Sequence, residues 1–439
     1  MKIPVTLLLQ VLHAPGNLAK VLQAVAEMGL TIQALDAIRR TQALTTWELS
    51  VEIDPGEEDE LTARIDALDI ASVLGHSDRV FDRHRGGKIA SRALMGLDDL
   101  KVLRDIYTPG VTRVCLAIHD NPVLASAYTA RDHTVAIVTN GTAVLGLGDI
   151  GPTAGLPVME GKAALFSEFA GISGVPLLLE TKDADEIIRT VEAVAPSFGA
   201  IQLEDIAAPE CFRIERELCS RLKIPVLHDD QHGTAVVVLA AILSAERLAG
   251  FSLGDSVVGQ IGLGAAGLGI ARLLLRHGVS DVLGADLSEG ALASLEDAGG
   301  TRSDLNEIMQ RADVVVATTG ARGLITPEMV RPGQIIFALS NPDPEIEAND
   351  ALDAGAKFAA DGRNVNNVLA FPGLFKGAIK GKAKWFTDAM LLAAARAISD
   401  HADPDALVPS PLDRATHHAV ARAVQDAVRE GGDPISYTH

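Results

Sequence analysis

The chain has 439 residues, too many for one hydrophobic core, so two or three domains are expected. Forty-eight per cent hydrophobic residues excludes general disorder, and a net charge of −20 argues against nucleic acid or an anionic membrane as partner. Cys115, Cys211 and Cys219 form neither a disulfide framework nor a close metal pattern. The opening MKIPVTLLLQVLHAPG runs into a helical pattern with no A-x-A site, and the longest other apolar run, 235–243, is far short of a membrane span. A cytoplasmic location is therefore expected.

Residues 3 to about 80 read as strand 5–12, helix 17–28 closed by Gly29, strands 31–39 and 45–53, helix 57–68 and a last strand. That is a small α+β module of βαββαβ order, and the charged DRHRGGK at 82–88 reads as a linker. A helix over 98–106 then runs into Tyr107 of YTPGV, further helices reach Arg131, and 135–139 is a strand. Gly146, Gly148 and Gly151 of GLGDIG fit the GxGxxG pattern, but Pro152 and Pro157 follow where a dinucleotide fold needs a helix. A tight loop near the site is the expectation. Lys162 is expected to open an apolar helix over 163–170, where the helix dipole would lower its pKa towards that of a general base. A solvated surface lysine is the alternative.

Two apolar runs, Ala200–Leu203 and 224–227, end in acid, Glu204 and Asp205 after the first and Asp229 and Asp230 after the second. The helix between them makes a right-handed crossover, which sets both acid pairs at the carboxyl edge of a parallel sheet. Crowded carboxylates call for a cation, and oxygen donors without Cys favour Mg²⁺ or Mn²⁺ over zinc. Two solvated acidic loops are the alternative, and His228 and His232 read as ordinary polar neighbours. A long helix, 234–248, leads to strand 256–261, then Gly262, Gly264, Ala265, Ala266 and Gly267 opening helix 268–277, then a strand ending at Asp286, 22 residues after Gly264. This is a dinucleotide fingerprint in its proper context: the glycines admit the pyrophosphate, and Asp286 binds the ribose hydroxyls, favouring NAD with NADP as the alternative. Strands 313–318, 334–339 and 357–360 follow, and from Thr387 the tail is Ala-rich helix.

Tyr107 in YTPGV, Lys162 in VMEGKAALF, Glu204 and Asp205 in LEDI, Asp230 in HDDQHGTA, Asn341 in ALSNP and Asn367 in VNNV together resemble malic enzyme in its shorter bacterial form, from about residue 88 to 380. The first 84 residues resemble an ACT domain, a regulatory module that often binds amino acids. The resemblance implies an α/β fold, with an ACT-like domain at 1–84, a parallel α/β substrate and metal domain at 88–232, a Rossmann NAD domain at 233–384, and C-terminal helices at 385–439 packing on the substrate domain. It implies oxidative decarboxylation of (S)-malate to pyruvate and CO₂ with NAD or NADP. In that family the tyrosine is the general acid, the lysine the general base, and three carboxylates, here Glu204, Asp205 and Asp230, hold Mg²⁺ or Mn²⁺. Asn341 and Asn367 contact substrate or nicotinamide, so Tyr107, Lys162, Asn341 and Asn367 form the expected substrate site. A homodimer or higher homo-oligomer and a small effector at the first domain are further expectations; malolactic chemistry and an amino-acid sensor on a retired enzyme body are the rivals. Three stretches depart from the family: 140–143 lacks an arginine that larger relatives carry, and the segments after Asp286 and at 362–365 are short.

Overall fold

In the strand Ile3–Leu12 (β1), Val5, Leu7, Leu9 and Val11 are buried on alternate positions, which directs one face of a sheet to a core. Helix Asn17–Glu27 (α1), strands Thr31–Arg40 (β2) and Leu44–Ile53 (β3), helix Glu58–Asp66 (α2) and strand Ala71–Asp78 (β4) complete the module, with antiparallel order β2-β3-β1-β4. Val21 and Val25 of α1 and Leu61 and Ile65 of α2 close the core against Leu49, Val51 and Ile53. A short helix, Arg79–His84 (α3), is capped by the Asp78 carboxylate. The computed structural model describes residues 2–435 apart from Leu145, Pro342, Arg363 and Asn364, so part of the short 362–365 loop lies outside the described residues. The chain divides into two units, Met1–Ala90 and Ser91–His439.

The second unit starts with helices Leu100–Ile106 (α4), Val111–Asp120 (α5) and Ala125–Tyr128 (α6), none of which has a buried residue. Strand Thr134–Thr139 (β5), helix Pro152–Leu165 (α7), strand Ser173–Leu178 (β6), helix Ala184–Val194 (α8), strand Ala200–Leu203 (β7), helix Glu210–Arg221 (α9) and strand Val226–His228 (β8) follow. They form a parallel sheet of order β6-β5-β7-β8, so the expected crossover does place β7 beside β8. Helix Asp229–Ala249 (α10) then leads to the second sheet. It is apolar and long enough to cross a membrane, but it lies in the core, with fourteen of its residues buried.

The second sheet comprises Val257–Ile261 (β9), Asp281–Ala285 (β10), Thr301–Arg302 (β11), Val314–Ala317 (β12), Ile335–Ala338 (β13) and Phe358–Asp361 (β14), all parallel, in the order β11-β10-β9-β12-β13-β14. Helices Ala265–His277 (α11), Glu289–Asp297 (α12), Leu305–Arg311 (α13) and Ala348–Asp353 (α14) connect its strands. This is the doubly wound order, with β9 and its glycine turn at the centre. Helices Phe371–Gly381 (α15), Asp388–Asp400 (α16) and Arg414–Glu430 (α17) end the unit. One core runs beneath both sheets: Phe166, just beyond α7, meets Phe371 and Phe375 of α15 edge-to-face at 4.9 and 5.5 Å.

Candidate active site

The structure corrects the expectation for Lys162. Pro152 does not break a helix but starts one, because the first turn needs no proline N–H, and α7 carries through Pro157 to Leu165. GLGDIG therefore does open a helix, after a turn in which Val144 bridges Gly148. Lys162 lies in the last turn of α7, where the dipole favours its charge instead of opposing it. The lysine is buried. Its Nζ donates to Asp229, lies 3.0 Å from Glu204 Oε1, and sits 4.4 Å from the centre of the Phe371 ring. Burial alone would lower its pKa, but Asp229, Glu204 and Asp230 outweigh burial and hold it above the ordinary lysine value.

Glu204 and Asp205 follow β7 directly, whereas Asp229 and Asp230 form the first turn of α10, which begins five residues earlier than the sequence pattern suggests. Adjacent helical residues point about 100° apart, so the two aspartates divide. Asp229 turns to Lys162 and also accepts from Asn367 Nδ2 at 2.8 Å; Asp230 Oδ2 accepts from the Asp205 backbone N–H at 2.9 Å. Glu204, Asp205 and Asp230 then offer carboxylate oxygens that all lie within 4.8 Å of one another. Burial pushes Glu204 up to about 7 and Asp229 up to about 6, even with the lysine beside them. Asp205 and Asp230 are raised as well, by burial and by neighbouring carboxylates. Asp205 Oδ2 is buried without a hydrogen-bond partner among the described residues. A hard divalent cation among these oxygens would answer both the repulsion and the orphaned lone pair, so the donor set fits one. His228 is pushed down to about 4 by burial and is a neutral neighbour of Asp230. The 140–143 loop, which carries no arginine, clasps the acid loop instead: Ala143 N–H donates to the Asp205 carbonyl and Ala207 N–H to Thr142 Oγ1.

In the second sheet Gly262 adopts φ 86° after β9, and Gly264 caps α11. A Cβ on Gly267 would lie 1.9 Å from the Gly262 carbonyl, so only glycine lets α11 start so close to the turn. Asp286 closes the loop from the far side, accepting from Leu263 N–H at 2.6 Å and Ser288 N–H at 2.8 Å. Ala265 and Ala266 form the first turn of α11, whose dipole favours a phosphate. Asn341 follows β13 and donates to the Gly362 carbonyl at 3.2 Å.

Two known families match the chain: malic enzyme, N-terminal domain, over residues 92–219, and malic enzyme, NAD binding domain, over 231–299. The chain is 50% identical over 425 residues to NAD-dependent malic enzyme 1 of Bacillus subtilis, covering 96% of this chain and 97% of that one. It belongs to the malic enzyme family. A bifunctional malic/malolactic enzyme of Bacillus subtilis is 43% identical over 374 residues, covering 79% of this chain and 91% of its own. The crystal structure of an NAD-dependent malic enzyme from Thermotoga maritima superposes with a TM-score of 0.74 at 40% identity, covering 79% of this chain and 98% of that one. The second sheet is thus the NAD-binding half of a malic enzyme, and NAD is its cofactor.

The fold brings Lys162, Glu204, Asp205, Asp230 and Asn367 together at the carboxyl edge of the first sheet. Tyr107 stands apart. It ends α4, is 68% exposed, and its hydroxyl has no hydrogen-bond partner among the described residues. Asp229 is the residue that sequence reasoning left without a role. Its signal was the doubled acid after a strand, which becomes informative once α10 is known to begin there.

Proposed function

We propose that this malic enzyme oxidises (S)-malate to pyruvate and CO₂ with NAD, and that Lys162 is its general base. A buried lysine bonded to two carboxylates beside a three-carboxylate cluster carries the reading. When bound, the divalent ion would supply the electron sink for decarboxylation and NAD the hydride acceptor. Glu204, Asp205 and Asp230 hold that ion. Lys162 takes the proton from the carbon 2 hydroxyl and returns it in the reverse direction, while Asp229 and Asn367 fix its position. Asn341 orients substrate or nicotinamide, and Tyr107 protonates carbon 3 of the enol. Gly262, Gly264 and Gly267 admit the pyrophosphate, and Asp286 meets the ribose, which favours NAD over NADP. Initial rates of NADH formation from malate, with NAD against NADP and with Mn²⁺ against chelator, test this. NADP preference would reject the Asp286 assignment, and full activity of Asp230→Ala under chelator would reject the metal set.

The 43% identical malic/malolactic relative favours a second reading. Lactate accumulating without net NADH would select it.

Support for a homodimer comes from α4 to α6, where Leu100, Leu116, Val123 and Tyr128 are exposed. Tyr107 lies in this segment, so a second copy that covers it would complete a site. The first unit, read as an ACT-like domain, has a cavity of 280 Å³ lined by His13, Arg40, Thr45 and Trp47, suited to a small carboxylate effector. Three free thiols support a cytoplasmic location.

A further inference from the structure

Glu345 is fully buried, yet among the described residues no cation pairs with it. A buried carboxylate costs several kcal/mol unless its neighbours satisfy it, and here the neighbours are neutral donors from two loops of the NAD-binding half. Oε1 accepts from the Thr319 backbone N–H at 2.6 Å, the Thr319 hydroxyl at 2.8 Å and the Ser340 hydroxyl at 2.6 Å. Oε2 accepts from Ser340 N–H at 3.4 Å. Ser340 Oγ in turn accepts from Gly320 N–H at 2.8 Å.

The two loops leave the carboxyl ends of β12 and β13, neighbouring strands on one side of β9. Both touch the dinucleotide machinery. Thr319 lies against the glycine turn, since a Cβ on Gly262 would come within 3.0 Å of its Cγ2 and 2.8 Å of the Thr318 carbonyl. Ser340 immediately precedes Asn341. A single carboxylate therefore sets the spacing between the first glycine of the turn, the Thr319–Gly320 loop and Asn341.

We propose that Glu345 is a positioning residue for hydride transfer: its carboxylate locks the loops after β12 and β13 in the register that seats the nicotinamide end of NAD. This rests on the NAD-dependent reading above. Glu345→Gln keeps the volume but turns an amide NH₂ towards donors, so the loops part. A displacement of about 1 Å at a reacting centre can cost on the order of 10²-fold.

The test takes the full-length enzyme with Mn²⁺ and measures four things: NADH affinity by fluorescence titration, kcat and KM for malate, the isotope effect with 2-deuterated malate, and metal-dependent decarboxylation of added oxaloacetate. Glu345→Gln is expected to weaken NADH binding about tenfold, to lower kcat by roughly 10- to 100-fold with a larger isotope effect, and to leave KM for malate and oxaloacetate decarboxylation unchanged. Should Glu345→Gln fail to fold, Ser340→Ala, which removes two bonds of the network, carries the same expectation, and Ser340→Thr restores the rate. A fall in melting temperature with NADH affinity, kcat and isotope effect unchanged makes Glu345 merely structural and overturns the proposal. So does an equal loss of oxaloacetate decarboxylation. Absence of malate-dependent NADH formation in the unaltered enzyme would instead reject the functional reading, while NADH titration of the variants still tests the positioning of the dinucleotide.

Discussion

A lysine held by Asp229, Glu204 and Asp230 keeps its proton, whereas base catalysis requires it to yield one. A cation on Glu204, Asp205 and Asp230, as proposed above, would offset two of the three charges that hold the proton, so the carboxylate set would tune the base as well as hold the metal. The acid and the base can then be separated by experiment. Lys162→Ala should lose both malate oxidation and pyruvate reduction by about 10² to 10⁴, the usual cost of a positioned base. Tyr107→Phe should lose malate conversion to pyruvate by a similar factor but keep most oxaloacetate reduction, which involves no protonation at carbon 3. Equal losses in both assays for the tyrosine variant would mean that it orients the lysine or substrate. The same cluster gives a pH dependence. Unfolded carboxylates titrate near pH 4, approximately, while in the fold Glu204 titrates at about 7 and Asp229 at about 6. Between these values the metal-free folded state keeps protons that the unfolded state has released, so this contribution to stability is full below about pH 4 and is lost as pH rises through 6 to 7. Calorimetry under chelator should show a melting temperature that falls over that window. If Mn²⁺ binds the deprotonated set as proposed, it should remove the fall; a chelated protein with a flat profile would show that the carboxylates do not control it.

At the level of elements, the backbone steps that carry chemistry were legible where their chemistry is local. The strand ends before Glu204 and Asp229, and the β9 turn before α11, follow from apolar runs stopped by acid or glycine. The start of α7 is not legible in the sequence, because Pro152 and Pro157 look like breakers while Pro152 fills the first turn, and so the dipole argument for Lys162 takes the wrong sign. Asp229 was visible but not assignable, since its direction depends on where α10 begins. Glu345 was invisible: its partners Thr319 and Ser340 meet only when β12 lies beside β13. The glycine turn gives an element-level prediction. Gly267→Ala forces a methyl into the Gly262 carbonyl and should abolish NADH binding, measured by fluorescence, while oxaloacetate decarboxylation with Mn²⁺ at the other sheet continues. Unimpaired NADH binding would show that the turn can shift without cost.

At the scale of the whole molecule, Tyr107 stands apart from the carboxylates it is proposed to work with. The Lys162 cluster is buried inside one chain, while Tyr107 is exposed on a stretch whose helices bury nothing and whose approach leaves Leu94, Met95 and Leu97 exposed. In the proposed homodimer a second copy would remove this apolar surface from water, and two-fold symmetry would bring each copy's stretch against the other. If the tyrosine of one copy serves the lysine of the other, two inactive variants should complement. Co-expression of Tyr107→Phe and Lys162→Ala chains with different tags, followed by purification through both tags, yields mixed dimers in which one site has both defects and the other has neither. Such dimers should recover about half the wild-type rate of malate oxidation. If both groups belong to the same chain's site, each site of the mixed dimer lacks one of them, and the activity stays at the level of the single variants. Sedimentation of the unaltered, singly tagged enzyme checks that it is dimeric, and a monomer there would reject the covering copy directly.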